Sequence, residues 1–157
     1  MVERSDPART GVNAGRVVGL LTATLAVVSL LQTQASFYEI ATALLDAFGI
    51  ESSLSVSALF WGNVAIAASA RYVVGYVVGS LVGVVYDWLD RPSLPVLVGM
   101  VLVVGVVDGF LAGIDTRSVG IGSAYVVAWL CYVPAFVWLS DDDANDVRSG
   151  PRRLGDS

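Results

Sequence analysis

Hydrophobic residues along this chain come in blocks, not at a period of two or 3.6. Val17 to Tyr38 carries no charge, Ser52 to Ala70 carries none, and beyond Arg71 the apolar run resumes to Tyr86. Pro92 to Val107 and Ser118 to Ser140 are also uncharged. Such stretches of ~18 or more residues predict membrane spans, because ~20 residues of helix cross a ~30 Å hydrocarbon core. Lipid cannot hydrogen-bond a backbone, so each span is expected to be helical. A membrane β-barrel would alternate over ~10-residue segments, and these blocks do not. The pattern predicts an all-α integral membrane helical bundle of four transmembrane helices, at about 17–36, 56–89, 95–114 and 118–139.

The segments between the spans refine this picture. Residues 1–15 read as a polar tail, and 140–157 as a second tail, acidic and then basic. Span 1 exceeds the 7–15 residues of a signal-peptide core and is followed by further spans, which favours an uncleaved helix. Over 37–48, Phe37, Ile40, Ala41, Leu44, Leu45 and Phe48 share one helical face. That spacing predicts a short amphipathic helix after helix 1, lying in the interface, capping the bundle or extending helix 1. Gly49 is its expected stop. Residues 52–90 are long for one upright span, and from Trp61 to Tyr86 a helix would rise ~37 Å, enough for a tilted crossing. Pro95 suits the first turn of span 3, and Pro134 should kink span 4.

Orientation follows from arginine. With four spans, Arg4, Arg9, Arg16, Arg91, Arg148, Arg152 and Arg153 fall on the side of the N-terminal tail, against Arg117 alone on the other. The positive-inside bias then predicts a multi-pass protein of the cell membrane with both termini cytoplasmic. Breaking the chain at Arg71 to make five spans gives five against four, a weaker asymmetry.

Composition agrees and removes whole classes of chemistry. The chain is 55% hydrophobic, with mean hydropathy +0.71, where soluble domains hold about 45–50% apolar residues. All 9 basic residues are Arg, there is no His, and the net charge is −5. An acidic, lysine-free chain rich in Val, Ala and Gly resembles proteins of salt-loving archaea in composition. Without His there is no haem pair, zincin helix or Ser-His-Asp relay. Without Lys there is no Schiff base and no P-loop lysine. The single Cys131 reads as a small apolar helix residue. The expected cofactor, metal and nucleic-acid partners are therefore none, and the first partner is the lipid bilayer.

Two features remain inside the spans. Gly75, Gly79 and Gly83 form a doubled GxxxG in span 2, and Gly105, Gly109 and Gly113 form another in span 3. Glycines four apart let a second backbone approach closely, and the simplest expectation is that spans 2 and 3 pack on each other as a hairpin. A homo-oligomer or another membrane protein is the alternative partner for a ladder. The second feature is charge. Arg71 lies ~24 Å from Asp87 along its helix, and Asp108 lies ~20 Å from Pro95. These depths match within a turn, which predicts an Arg71–Asp108 ion pair in the membrane half away from the termini. By the same arithmetic Gln32 and Tyr125 are candidate polar neighbours.

The aromatic stripe Tyr125, Trp129, Tyr132 and Phe136 reads as packing. Intramembrane aspartyl proteases pair a Tyr-Asp with a Gly-x-Gly-Asp. Tyr86-Asp87 matches the first, but Gly105-Val-Val-Asp108 lacks the second glycine, and the two aspartates differ in depth by ~20 Å. No catalytic residue is assigned. The reading is a non-enzymatic accessory, assembly or scaffold bundle, with a small proton, ion or solute transporter using Arg71 and Asp108 as the alternative.

Overall fold

The computed structural model describes residues 7–49 and 56–148. Arg4, Arg152 and Arg153 of the arginine count lie outside the described residues. Among these residues six helices follow in order: α1 (Pro7–Gln32), α2 (Gln34–Ala47), α3 (Val56–Trp88), α4 (Leu94–Thr116), α5 (Val119–Leu130) and α6 (Tyr132–Arg148). Among the described residues, four segments are long and apolar enough to cross a membrane: Arg9–Gln32, Val56–Trp88, Leu94–Thr116 and Val119–Ser140. The chain is an all-α membrane bundle. The side where α1 begins is called proximal here, and the side where it ends is called distal.

Helix α1 starts ten residues before the expected edge of span 1. Pro7 opens it, where the missing N–H costs nothing. The following polar turns hold because one face is packed: Thr10, Ala14 and Val18 are buried. Arg16 stays exposed and folds back toward the proximal end, with Nη1 donating to Asn13 Oδ1 at 3.3 Å and its guanidinium 5.9 Å from the Tyr76 ring centre.

What packs that face is a third glycine ladder. Gly11, Gly15 and Gly19 on α1 meet Gly83, Gly79 and Gly75 on antiparallel α3. A Cβ added at Gly11 would come 2.7 Å from Gly83 Cα, and one at Gly79 would come nearer still to Gly15 Cα, both closer than real Cβ atoms approach. The ladder of α4 faces α5 instead. A Cβ at Gly105 would lie 2.9 Å from Trp129 Cβ, and Gly122 meets the Gly109 carbonyl at 2.7 Å by the same construction. The expected hairpin of spans 2 and 3 is therefore corrected. The bundle is two glycine-packed hairpins, α1/α3 and α4/α5, and α3 and α4 touch little along their lengths. In a helix, residues four apart drift by about 40° per step. Gly79 and Gly83 can thus face α1 while Arg71, two and three steps away, faces α4 and α5.

The hairpins are joined through α1, which α3, α5 and α6 all contact. The proximal half of that joint is a core of Ala14, Val18, Val82, Leu97, Val101, Trp129, Tyr132 and Phe136. Tyr132 donates its hydroxyl to the Gly79 carbonyl at 2.8 Å and stacks on Phe136 at 5.7 Å. Large apolar side chains such as Ile66, Val103, Phe110 and Val127 point outward, as lipid-facing positions should.

Span 4 is interrupted. Pro134 has no N–H to give the carbonyl four residues back, Leu130, where α5 ends. The chain makes one turn at Cys131 and resumes as α6, which continues through the expected tail to Arg148. Helix α1 breaks at Thr33, whose hydroxyl donates to the Leu30 carbonyl at 3.2 Å. Helix α2 then runs to Ala47 with no buried residue, and Gly49 at φ 61° ends it. Phe37 and Tyr38 pack on Phe60 at 5.4 and 5.8 Å, while Ile40, Leu44 and Phe48 are exposed. Arg117, at φ 50°, closes the tight turn between α4 and α5 in left-handed backbone.

Candidate functional site

The polar centre of the bundle is built where the two hairpins face each other. Antiparallel packing of Gly19 on Gly75 sets Thr22 of α1 level with Tyr72 and Arg71 of α3. Across the gap, α4 presents Asp108 and α5 presents Tyr125 and Trp129. Arg71 Nη1 forms an ion pair with Asp108 Oδ1. Trp129 Nε1 donates to the other oxygen, Asp108 Oδ2, at 2.9 Å. The Arg71 guanidinium lies 4.8 Å from the Tyr125 ring centre, in the range of a cation–π contact. Tyr125 donates its hydroxyl to the Thr22 carbonyl at 3.3 Å. Four helices thus meet in one chain of charged and polar contacts.

The depth of this centre can be counted along α4. Asp108 is eight residues from Thr116 and fourteen from Leu94, about 12 Å and 21 Å along the helix. The pair therefore lies in the distal half of the bundle. Arg71 and Asp108 side chains are 29% and 16% exposed, whereas Tyr125 and Trp129 are buried. At such depth an unpaired charge costs ~2.5–3.5 kcal/mol or more. The pairing offsets that cost, and the aromatic pair covers it.

Of the polar neighbours expected from sequence, Tyr125 joins the centre and Gln32 does not. Gln32 is exposed at the distal end of α1 and borders a shallow depression with Gln34 and Tyr38. A count of 16 residues from Arg16, taken as the membrane edge, puts Gln32 ~24 Å deep. Because α1 begins at Pro7, the residue level with Arg71 is Thr22, ten residues earlier. Trp129, in sequence one member of an aromatic packing stripe, is a site residue. The signal was present: an indole N–H within a span needs an acceptor, and Trp129 lies one turn from Tyr125. The Gly11 ladder was also legible, but it falls partly in residues read as tail.

Beside the pair is a cavity of about 310 Å3. Its lining extends from Arg71, Val74 and Tyr125 to Ser29 on α1 and to Asp115 and Thr116 in the last turn of α4. Its polar end is thus Arg71, and its distal rim carries the Asp115 carboxylate. On the proximal side of the pair, the core around Leu97, Val101, Tyr132 and Phe136 is packed. Among the described residues, no three His, Cys, Asp or Glu side chains come together as a metal site. Comparison with protein families, curated proteins and solved structures finds no match to this chain.

Proposed function

We propose that this multi-pass membrane protein is a non-enzymatic accessory or assembly bundle, with Arg71, Asp108 and Trp129 acting as a clamp between its two hairpins. The observation that carries this reading is the state of Asp108. Both of its oxygens are engaged, one by Arg71 from α3 and one by Trp129 from α5. A carboxylate that relays protons or ions works from a free oxygen on a wetted path, and here the proximal side of the pair is closed by packed side chains. The glycine ladders are used inside the chain, so a homo-oligomer or membrane-protein partner would meet the outer apolar faces or α2. The test is flux. Reconstituted vesicles carrying the protein should hold a proton gradient as long as empty vesicles do. Leakage that Asp108→Asn abolishes would overturn the clamp reading.

The protein's setting in this reading is the cell membrane, with both termini cytoplasmic. Support comes from the seven-to-one distribution of arginines. In a Cys131→Ala background, Val119→Cys should react with a membrane-impermeant maleimide in intact cells. Ser93→Cys should react only after lysis, and the reverse pattern would invert the topology.

One observation favours the second reading, a small solute transporter. The cavity reaches Arg71 from the distal rim, and the helix break at Cys131 lies two residues from Trp129. That break would be the natural hinge for a second state. The same vesicles, tested for uptake of small solutes, separate the two readings.

A further inference from the structure

The clamp does not use the cavity beside it. At about 310 Å3, the cavity falls at the lower end of the roughly 300–1,000 Å3 of small-molecule sites. The space exists because Ala26, Ala67, Ala70 and Ala112 stand where larger residues would fill it. Arg71 lies at one end. A guanidinium has five N–H donors in a planar fork, and Arg71 gives Nη1 to Asp108 while its side chain stays 29% exposed and lines the cavity. Lipid tails offer those remaining donors no acceptor. A carboxylate matches them, because its two oxygens fit the fork.

A simple anion fits the charges poorly. Asp108 already neutralises Arg71, and Asp115 adds a negative charge at the rim. Among the described residues Asp115 has no ion-pair partner. The nearest cation in sequence, Arg117, lines a separate groove on another face of the α4/α5 hairpin. A zwitterion supplies acceptor oxygens to the Arg71 donors that Asp108 does not take and a positive charge to Asp115, and it adds no net charge to the cavity. We propose that this cavity binds a small zwitterion, with its carboxylate inward on Arg71 and its ammonium outward at Asp115. Asp108 and Asp115 are seven residues apart, ~10 Å along α4. Arg71 and Asp115 both reach into that distance, so the two charges of the ligand should be separated by a short methylene chain, for which alanine methyls are a suitable wall.

The experiment uses the full chain in lipid nanodiscs and equilibrium dialysis with three probes: 6-aminohexanoate, hexanoate and hexylammonium. The zwitterion should bind about tenfold or more tighter than either single-charge probe. Asp115→Asn should remove its margin over hexanoate. Ala70→Leu, which fills the cavity from an exposed position, should abolish binding while the helical circular dichroism and unfolding midpoint stay unchanged. The proposal is overturned if 6-aminohexanoate does not bind, if hexanoate binds as tightly, or if Ala70→Leu binds undiminished. The readout is binding at equilibrium, so binding without flux leaves the clamp reading in place, and flux without binding counts against that reading separately.

Discussion

Removing one charge of the Arg71–Asp108 pair is expected to cost more than removing both. Asp108→Leu leaves a guanidinium at hydrocarbon depth with no counter-charge, and it also strips Trp129 Nε1 of its acceptor. Arg71→Met leaves a carboxylate held by Trp129 alone. Each single variant should lose about 2.5–3.5 kcal/mol, the cost of an uncompensated charge near the bilayer centre. The double variant Arg71→Met/Asp108→Leu removes both charges and keeps apolar volume, so it should recover the cost of the stranded charge, as paired charges replaced together often do, and retain only the loss of the Trp129 hydrogen bond. Unfolding midpoints in mixed micelles, read by tryptophan fluorescence, give the cycle directly. If the double variant is as unstable as the sum of the singles, the two side chains act independently and the clamp is wrong. Trp129→Phe should fall between, losing about 1.5–3 kcal/mol with one charge-assisted hydrogen bond.

Glycine substitutions should divide sharply by position. At Gly79 an added Cβ would fall on the Gly15 backbone of α1. Gly79→Ala should therefore destabilise by about 1–3 kcal/mol, the usual cost of overpacking. Gly79→Leu should force α1 and α3 apart and break the Tyr132 hydroxyl bond to the Gly79 carbonyl. Gly62 and Gly99 are the controls, because nothing lies within 4 Å of a Cβ added at either. Alanine there should be neutral or stabilising by about 0.5–1 kcal/mol, as for glycine inside any helix. Unfolding midpoints, with cysteine crosslinking between α1 and α3, test this. Equal effects at Gly79 and Gly99 would mean the ladder does not pack as described.

The site shows where a single sequence was informative. Depth is arithmetic on helical rise, and that arithmetic alone places Arg71 and Asp108 at one level. The same arithmetic misplaced Gln32, because its origin was Arg16 and the helix begins at Pro7. A charged residue is a poor marker of where a helix starts when its neighbours are held by packing. Trp129 is hard to single out from sequence for a different reason. An aromatic stripe at helical spacing is explained by packing alone, and nothing in the spacing says which of its polar atoms meets a charge.

The sequence by itself determined the class of the protein. Uncharged blocks of membrane-spanning length, the missing Lys and His, the proline near residue 134 and the amphipathic spacing after residue 37 follow from hydropathy and local backbone chemistry. Those quantities are properties of a segment and need no knowledge of its neighbours. The tertiary structure decided which ladder meets which. Three helices carry glycines four apart, and a GxxxG face accepts any close backbone, so sequence cannot choose among the pairings. The choice came from geometry: α1 takes the α3 ladder, α5 takes the α4 ladder, and the drift of the fourfold step turns Arg71 away from its glycines toward Asp108. That arrangement leaves α3 and α4 apart, which is why a cavity lies between them and why an ion pair bridges them.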